Sequence, residues 1–142
     1  MAINFFSRKK LHFSFPKNLK EKNWLNQIAD SENFKIKELN YIFCSDEHLY
    51  QMNVEYLAHH TYTDIITFDN SEEKAKIEGD IFISIDRVRE NALLHDVSEE
   101  TELSRVISHG LFHLMGYKDK SKSQSVTMRA KEEFAIELFQ TV

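Results

Sequence analysis

Residues 109–119 read HGLFHLMGYKD and combine two histidines at helical spacing with a glycine stop and a carboxylate. His109 and His113 are four residues apart, so both imidazoles can lie on one face of a helix and bind the same metal ion. Gly116 suits the left-handed residue that ends many helices, after which the chain can turn back and bring Asp119 to the histidines. Three protein ligands leave the fourth position of a zinc ion open for water or substrate, as in catalytic zinc sites.

The alternative to a metal site is a pair of structural histidines with ordinary hydrogen bonds, because such a pair arises easily by chance. The same helix has an apolar stripe that we expect to pack on the core, formed by Leu103, Val106, Ile107, Leu111 and Leu114. At about 100° per residue, the two histidines lie roughly 90–130° from the centre of that stripe. The spacing therefore predicts that both rings face sideways into a cleft, which favours the metal site.

Length and composition indicate a compact globular protein. The 142 residues suit one domain spanning 1–142, and 42% apolar residues with three glycines and one proline argue against a disordered chain. No apolar run approaches the roughly 18 residues of a membrane span, and the first residues lack the form of a signal peptide. The lone Cys44 suits a reducing cytoplasm. The net charge of −5 argues against a general nucleic-acid coat protein.

A local basic cluster nevertheless follows the histidines. It sets five cations against one acid, Asp119, and consists of Lys118, Lys120, Lys122, Arg129 and Lys131. Because the cluster begins at the predicted metal site, it could neutralise the phosphates of a substrate. It could equally be a solvated helix face that Glu132 and Glu133 balance. The sequence alone leaves both interpretations open.

Periodicity and capping residues predict strands that alternate with helices. Strands are predicted at 11–15, 35–44 (with a break near Glu38), 64–68 and 80–85, with an exposed loop at 69–77. Helices are predicted at 16–29, 46–57 after the N-cap Ser45, 86–95, from the N-cap Ser98 through the histidines, and 123–139. The expected inward side chains are Val88, Ala92 and Leu93 on the 86–95 helix, and some combination of Val126, Phe134, Ile136 and Leu138 on the last. The pattern predicts about four strands in a small sheet covered by helices.

The spacing of the histidines, Gly116 and Asp119 resembles that of the metzincin proteases, H-E-x-x-H-x-x-G-x-x-H. Those enzymes carry, directly after the first histidine, the glutamate that takes a proton from the zinc-bound water. This chain has Gly110 there, and glycine cannot transfer a proton. The helix is therefore zincin-like in its metal geometry, whereas peptide hydrolysis by that mechanism is disfavoured.

The closer resemblance is to the YbeY endoribonuclease family, whose signature reads H-G-x-L-H-L-x-G-Y-D-H. Residues 109–117 match it with Phe112 for the usual leucine. Two further family blocks have counterparts here. The first is L-N-x-x-Y-R followed by P-T-D-V-L-S-F, which resembles Asn53, Tyr56 and residues 63–68. The second is L-G-D-I, which resembles residues 79–81. The blocks keep the family order, and the resemblance covers roughly 36–137.

The resemblance implies a metal-dependent, single-strand-specific endoribonuclease with an α+β fold, a mixed sheet with helices. Such enzymes act in the cytoplasm in ribosomal RNA processing, notably 3′-end maturation of small-subunit rRNA, and in ribosome quality control. The small ribosomal subunit and its single-stranded rRNA are thus the implied partners. The family holds one Zn²⁺ with three histidines. In this sequence the first two ligand positions of the family correspond to His109 and His113, and the third corresponds to Asp119.

The departures from the family pattern concern the site. Asp119 in place of histidine keeps a ligand but adds a negative charge, which makes other divalent ions more competitive with zinc. Leu57 stands where the family has an arginine, so a phosphate contact expected there is missing. We expect Lys118, Lys120 or Lys122 to supply it. Tyr62 replaces a family proline, and the expected effect is confined to local turn geometry.

Zinc could polarise a phosphoryl oxygen and lower the pKa of a bound water to about 7. Asp64 and Asp80 are candidate acid–base groups, although hydrogen bonds in turns beside the strands explain them more simply. His59 and His60 could approach the cleft from a loop, although ordinary exposed loop histidines are the simpler explanation. The general base, the nucleophile and the oligomeric state stay open. Three function classes remain: an RNA-processing metalloenzyme, a metal-dependent hydrolase of another substrate such as peptides, and a ribosome-associated binding protein with a structural metal.

Overall fold

The computed structural model, described for residues 2–8, 19–58 and 62–141, contains four strands and five helices. The strands are β1 (Ala2–Ser7), β2 (Lys35–Cys44), β3 (Ile65–Asp69) and β4 (Lys76–Ser84). The helices are α1 (Leu19–Ser31), α2 (Asp46–Leu57), α3 (Ile85–Leu94), α4 (Glu99–Leu114) and α5 (Lys122–Thr141). Along the chain these elements follow the order β1-α1-β2-α2-β3-β4-α3-α4-α5. Within these residues no helix is both long enough and apolar enough to cross a membrane.

The four strands form one mixed sheet in the order β1-β2-β4-β3. β1 and β4 both run parallel to β2, whereas β3 is antiparallel to β4. The register between β2 and β4 shifts between Ile36 and Glu38, where a break was predicted. The α+β fold with a mixed sheet of about four strands is therefore confirmed.

One face of the sheet packs against α1 and α4, and α5 packs on these two helices to complete the main core. Leu39 and Tyr41 of β2 and Ile81 of β4 are fully buried there, because alternate residues of a strand point to the same face. The hydroxyl of Tyr41 donates a 2.9 Å hydrogen bond to the carbonyl of Ile107 in α4. This bond joins the centre of the sheet to the helix that carries the histidines.

Helix α4 approaches the sheet closely at Gly110. A Cβ atom at this position would lie 2.9 Å from Cδ1 of Ile65 and 3.0 Å from two carbons of Ile81, inside normal van der Waals contact. The glycine therefore lets the helix backbone lie directly on β3 and β4. As a result, one edge of α4, which holds the two histidines, stands beside the loop that leads into β3.

The capping predictions agree with the structure. The hydroxyls of Ser45 and Ser98 accept hydrogen bonds from the backbone N–H groups of His48 and Thr101, as N-caps of α2 and α4. All five residues of the predicted apolar stripe on α4 are buried: Leu103, Val106, Ile107, Leu111 and Leu114. The two histidines are only partly buried, so the helix orientation read from its periodicity is correct.

Several predictions of burial and strand position were wrong. Leu93 is 84% exposed, because Val88 and Ala92 define the inward face of α3 and Leu93 lies about 100° beyond it. Of the four candidates on α5, Ile136 is buried and Leu138 packs against the core as predicted, whereas Val126 and Phe134 are exposed, and the buried side also includes Met128, Glu132 and Ala135. The predicted strand at 11–15 lies outside the described residues, as does the start of the 16–29 helix. β1 was not predicted, although buried Ile3 and Phe5 alternate along it, and β4 begins four residues before the predicted strand.

Candidate metal centre

His109, His113 and Asp119 converge in the structure as their spacing predicts. The Nε2 atoms of His109 and His113 lie 3.3 Å and 3.8 Å from Oδ2 of Asp119, and one ligand atom from each residue lies within 4.8 Å of the others. The two rings are 4.4 Å apart at 84°. Ligands of a tetrahedral zinc, at about 2.0–2.1 Å from the metal, are about 3.3 Å from one another. The three side chains therefore fit a divalent cation with little rearrangement.

The turn after α4 positions both His113 and Asp119. Gly116 has a φ of 101°, a left-handed conformation that glycine adopts at low cost. Its N–H donates to the carbonyl of His113 and the N–H of Tyr117 donates to the carbonyl of Phe112, each at 3.0 Å, which is the Schellman pattern. The same turn brings the carbonyl of Tyr117 to 2.9 Å from Nδ1 of His113. A neutral His113 therefore donates from Nδ1 and presents the lone pair of Nε2 to Asp119.

The other histidine is held by a residue that the sequence analysis did not assign to the site. Nδ1 of His109 lies 2.6 Å from Oε2 of Glu132, a carboxylate of α5 that is 7% exposed. Burial works to lower the pKa of His109, but the hydrogen bond and charge of Glu132 outweigh it, and the pKa is raised above its ordinary value. The sequence offers no local signal for this contact, because it joins two residues 23 positions apart on different helices.

Glu132 and Glu133, which one interpretation assigned to balancing the lysine cluster, form ion pairs with Arg105 of α4. Oε1 of Glu132 accepts a 3.2 Å hydrogen bond from Nη1 of Arg105, and Glu133 accepts one of the same length from Nη2. Arg105, which lies on α4, therefore forms ion pairs with both carboxylates. Lys131, from the cluster itself, pairs with Glu32 at 2.7 Å.

The three ligand residues border a cleft of about 490 Å³ between α4 and the α2–β3 connection. The side chains of His109, His113 and Asp119 are 18%, 25% and 42% exposed, so all three ligand residues are reachable from solvent. The remaining lining residues are Asn53, Leu57, Tyr62, Thr63, Asp64, Ile65, Ile66, Thr67 and Lys120. An open cleft beside the ligands suits a site that receives a polymeric substrate.

Of the two aspartates predicted as acid–base candidates, the structure brings Asp64 to the cleft and leaves Asp80 away from it. Burial raises the pKa of Asp64 above its ordinary value, against the opposing charge of His109. Asp80 accepts hydrogen bonds from the side-chain amides of Asn40 at 3.0 Å and Asn70 at 3.3 Å. Since Gly79 and Ile81 face α4, strand alternation places Asp80 on the other face of the sheet. It has the structural role that was the simpler explanation.

The three lysines predicted to contact RNA lie on different surfaces. Lys120 borders the cleft. Lys118 lies beside Gly116 and Thr127, and Lys122 lies with Arg129 on a separate part of α5. Leu57 lines the cleft at the position of the family arginine, so the apolar substitution faces the site directly. His59 and His60 are outside the described residues.

Comparisons with known proteins agree with the motif resemblance. The family model described as Endoribonuclease YbeY matches residues 6–140. Proteins with this name from Cytophaga hutchinsonii and Christiangramia forsetii are 54% identical over 134 residues and 45% identical over 137 residues. These alignments cover 94% and 96% of this chain and 94% of each relative.

A solved solution structure of a Thermotoga maritima protein has the same fold. It superposes with a TM-score of 0.67 at 27% sequence identity, over 97% of this chain and 89% of the other. The motifs that resemble the family lie on α2, β3, β4 and α4, and several of their residues line the cleft, so the similarity includes the residues around the candidate metal centre. The chain belongs to the Endoribonuclease YbeY family.

Proposed function

We propose that this protein is a metal-dependent endoribonuclease that cleaves single-stranded ribosomal RNA. Its expected role is 3′-end maturation of small-subunit rRNA and ribosome quality control in the cytoplasm, with residues 1–142 acting as one domain. The observation that carries the proposal is the convergence of His109, His113 and Asp119 beside an open cleft in a member of this family. The small ribosomal subunit is the proposed partner.

The proposed cofactor is one Zn²⁺ per chain, held by the two Nε2 atoms and the carboxylate of Asp119. Two imidazoles and one carboxylate form a known catalytic zinc ligand set. The carboxylate also makes the site more negative than three histidines would, so Mn²⁺ and similar ions compete better here. When bound, the ion supplies Lewis acidity toward a phosphoryl oxygen and lowers the pKa of a coordinated water toward about 7.

Asp64 is the proposed acid–base residue. It lies in the same cleft as the ligands, and its raised pKa brings its titration closer to the working pH, as general acid–base catalysis requires. Asp64→Asn should lower kcat by about 10²–10⁴-fold with little change in metal content. If Asp64 acts as a base, wild-type activity falls as the pH drops through its raised pKa, and the variant loses that acid limb. Unchanged kcat would remove Asp64 from the mechanism.

Lys120 is the proposed phosphate contact that compensates for Leu57. Lys120→Ala should weaken binding of a single-stranded rRNA fragment and reduce the slope of log affinity against log salt by about 1. Lys122→Ala is the matched control, since Lys122 lies away from the cleft on α5. Equal effects of the two variants would indicate a diffuse basic surface rather than a contact in the cleft.

Metal removal and reconstitution test the proposed function as a whole. Chelator-treated protein should lose cleavage of a single-stranded 3′ fragment of small-subunit rRNA and regain it with Zn²⁺ or another divalent ion. A fully paired duplex and a peptide library should remain uncut. Full activity after verified metal removal would contradict the mechanism. Peptide cleavage would favour the other hydrolase class, and loss of folding without metal would favour a structural ion.

A further inference from the structure

The two histidine ligands are oriented in different ways. His113 is oriented within its own segment, since the carbonyl of Tyr117 belongs to the turn that ends α4. His109 is oriented by Glu132, which lies 23 residues further along the chain on α5. The geometry of the first ligand therefore depends on how α5 packs against α4, whereas that of the second does not.

We infer that Glu132 is the positioning residue of the metal centre, an assignment that rests on the proposed metal site. By accepting a hydrogen bond from Nδ1 of His109, its carboxylate holds that ring in the tautomer whose Nε2 lone pair faces Asp119. Partners of this kind, behind a metal-binding histidine, set the ring orientation and increase its strength as a ligand. The 2.6 Å separation and near-complete burial of Glu132 make the contact short and shielded from water.

Arg105 completes the arrangement by holding the other oxygen of the same carboxylate. Its guanidinium donates to Oε1 at 3.2 Å, which leaves Oε2 directed at His109. Without this cation, the buried carboxylate of Glu132 would lack a permanently charged partner. Arg105, Glu132 and His109 thus form a continuous line of polar contacts from the interface of α4 and α5 to the ligand atoms.

The chain offers a matched control in Glu133. This neighbour also accepts a 3.2 Å hydrogen bond from Arg105, but its side chain is 54% exposed and lies in an ion pair with Arg105 rather than against His109. Glu132→Gln keeps an oxygen acceptor without the charge, and Glu132→Ala removes both. Glu133→Gln changes the same functional group one position away. A difference between positions 132 and 133 therefore reports on the contact with His109 and not on general loss of charge.

The test is the Zn²⁺ affinity of the full chain, measured by competition with a chromophoric chelator, with circular dichroism to check folding. We expect Glu132→Ala to weaken binding by about 10–100-fold, Glu132→Gln to weaken it less, and Glu133→Gln to leave it unchanged. In metal-free protein, ¹⁵N shifts of the His109 imidazole should show the proton of the neutral ring on Nδ1 in the wild type and a mixture of tautomers in Glu132→Gln.

Wild-type affinity in folded Glu132→Gln and Glu132→Ala, or an equal loss in Glu133→Gln, would overturn the inference. If Glu132→Ala fails to fold, the affinity and imidazole shifts of Glu132→Gln decide the question. RNA cleavage is not a readout here. Absence of cleavage by a protein that binds zinc normally would therefore contradict the proposed function and leave the role of Glu132 intact.

Discussion

His113→Ala is expected to abolish metal-dependent RNA cleavage, by at least about 10³-fold, while the protein remains folded. The substitution removes one of three proposed ligands, and two ligands cannot hold a zinc ion in a fixed geometry. Folding should survive because the His113 side chain is 25% exposed and alanine is the best helix former. Metal content, cleavage of single-stranded rRNA and circular dichroism measured on the same preparation check the prediction.

His48→Ala is the control for this experiment. His48 lies in α2, and its backbone N–H donates a hydrogen bond to the N-cap Ser45. Alanine at this position keeps that N–H. Metal content and cleavage should match the wild type in this variant. The account would be wrong if His113→Ala kept its metal and its activity. Collapse of the fold in His113→Ala would instead favour a structural metal.

Gly110→Glu is expected to destroy the fold rather than to create a metzincin-like protease. The substitution would complete the H-E-x-x-H sequence, but the Cβ alone would lie 2.9–3.0 Å from Ile65 and Ile81. A larger side chain would push α4 off the sheet and bury a carboxylate among isoleucines, each a strongly destabilising change. Expression and thermal unfolding should show little or no soluble, cooperatively folded protein.

Gly110→Ala and Val126→Glu are the two controls for the Gly110→Glu experiment. The alanine adds one methyl group against side-chain atoms of Ile65 and Ile81 rather than against backbone, so it should fold with a loss of about 1–3 kcal/mol. Val126→Glu places the same carboxylate at a helix position that is 64% exposed and should be near neutral. A stable, cooperatively folded Gly110→Glu protein would contradict the folding prediction, and peptide cleavage by the wild type would reverse our reason for preferring RNA over peptide as the substrate.

The parts of the fold that could be predicted are those that local physics determines. Ser45 and Ser98 begin their helices because a hydroxyl satisfies the first free N–H groups, whatever the rest of the chain does. The spacing of His109, His113 and Gly116 within one segment likewise determines the ring positions and the turn. Asp119 could therefore be placed near the histidines before the structure was known.

The parts that could not be predicted depend on contacts between distant segments. Glu132 reaches His109 through the packing of α5 on α4, so in the sequence it looked like one more charge beside a lysine cluster. Asp64 precedes β3 and Asp80 lies within β4, and only the packing of α4 on one face of the sheet separates the aspartate in the cleft from the one on the opposite face. Leu93 was misplaced because its neighbour Ala92 shares its apolar character but not its face.

A crystal structure of the protein with zinc tests the central claim most directly. The account predicts one ion within about 2.0–2.2 Å of Nε2 of His109, Nε2 of His113 and a carboxylate oxygen of Asp119, with a further position facing the cleft open to water. An ion bound elsewhere, or held by the histidines with Asp119 turned away, would contradict it.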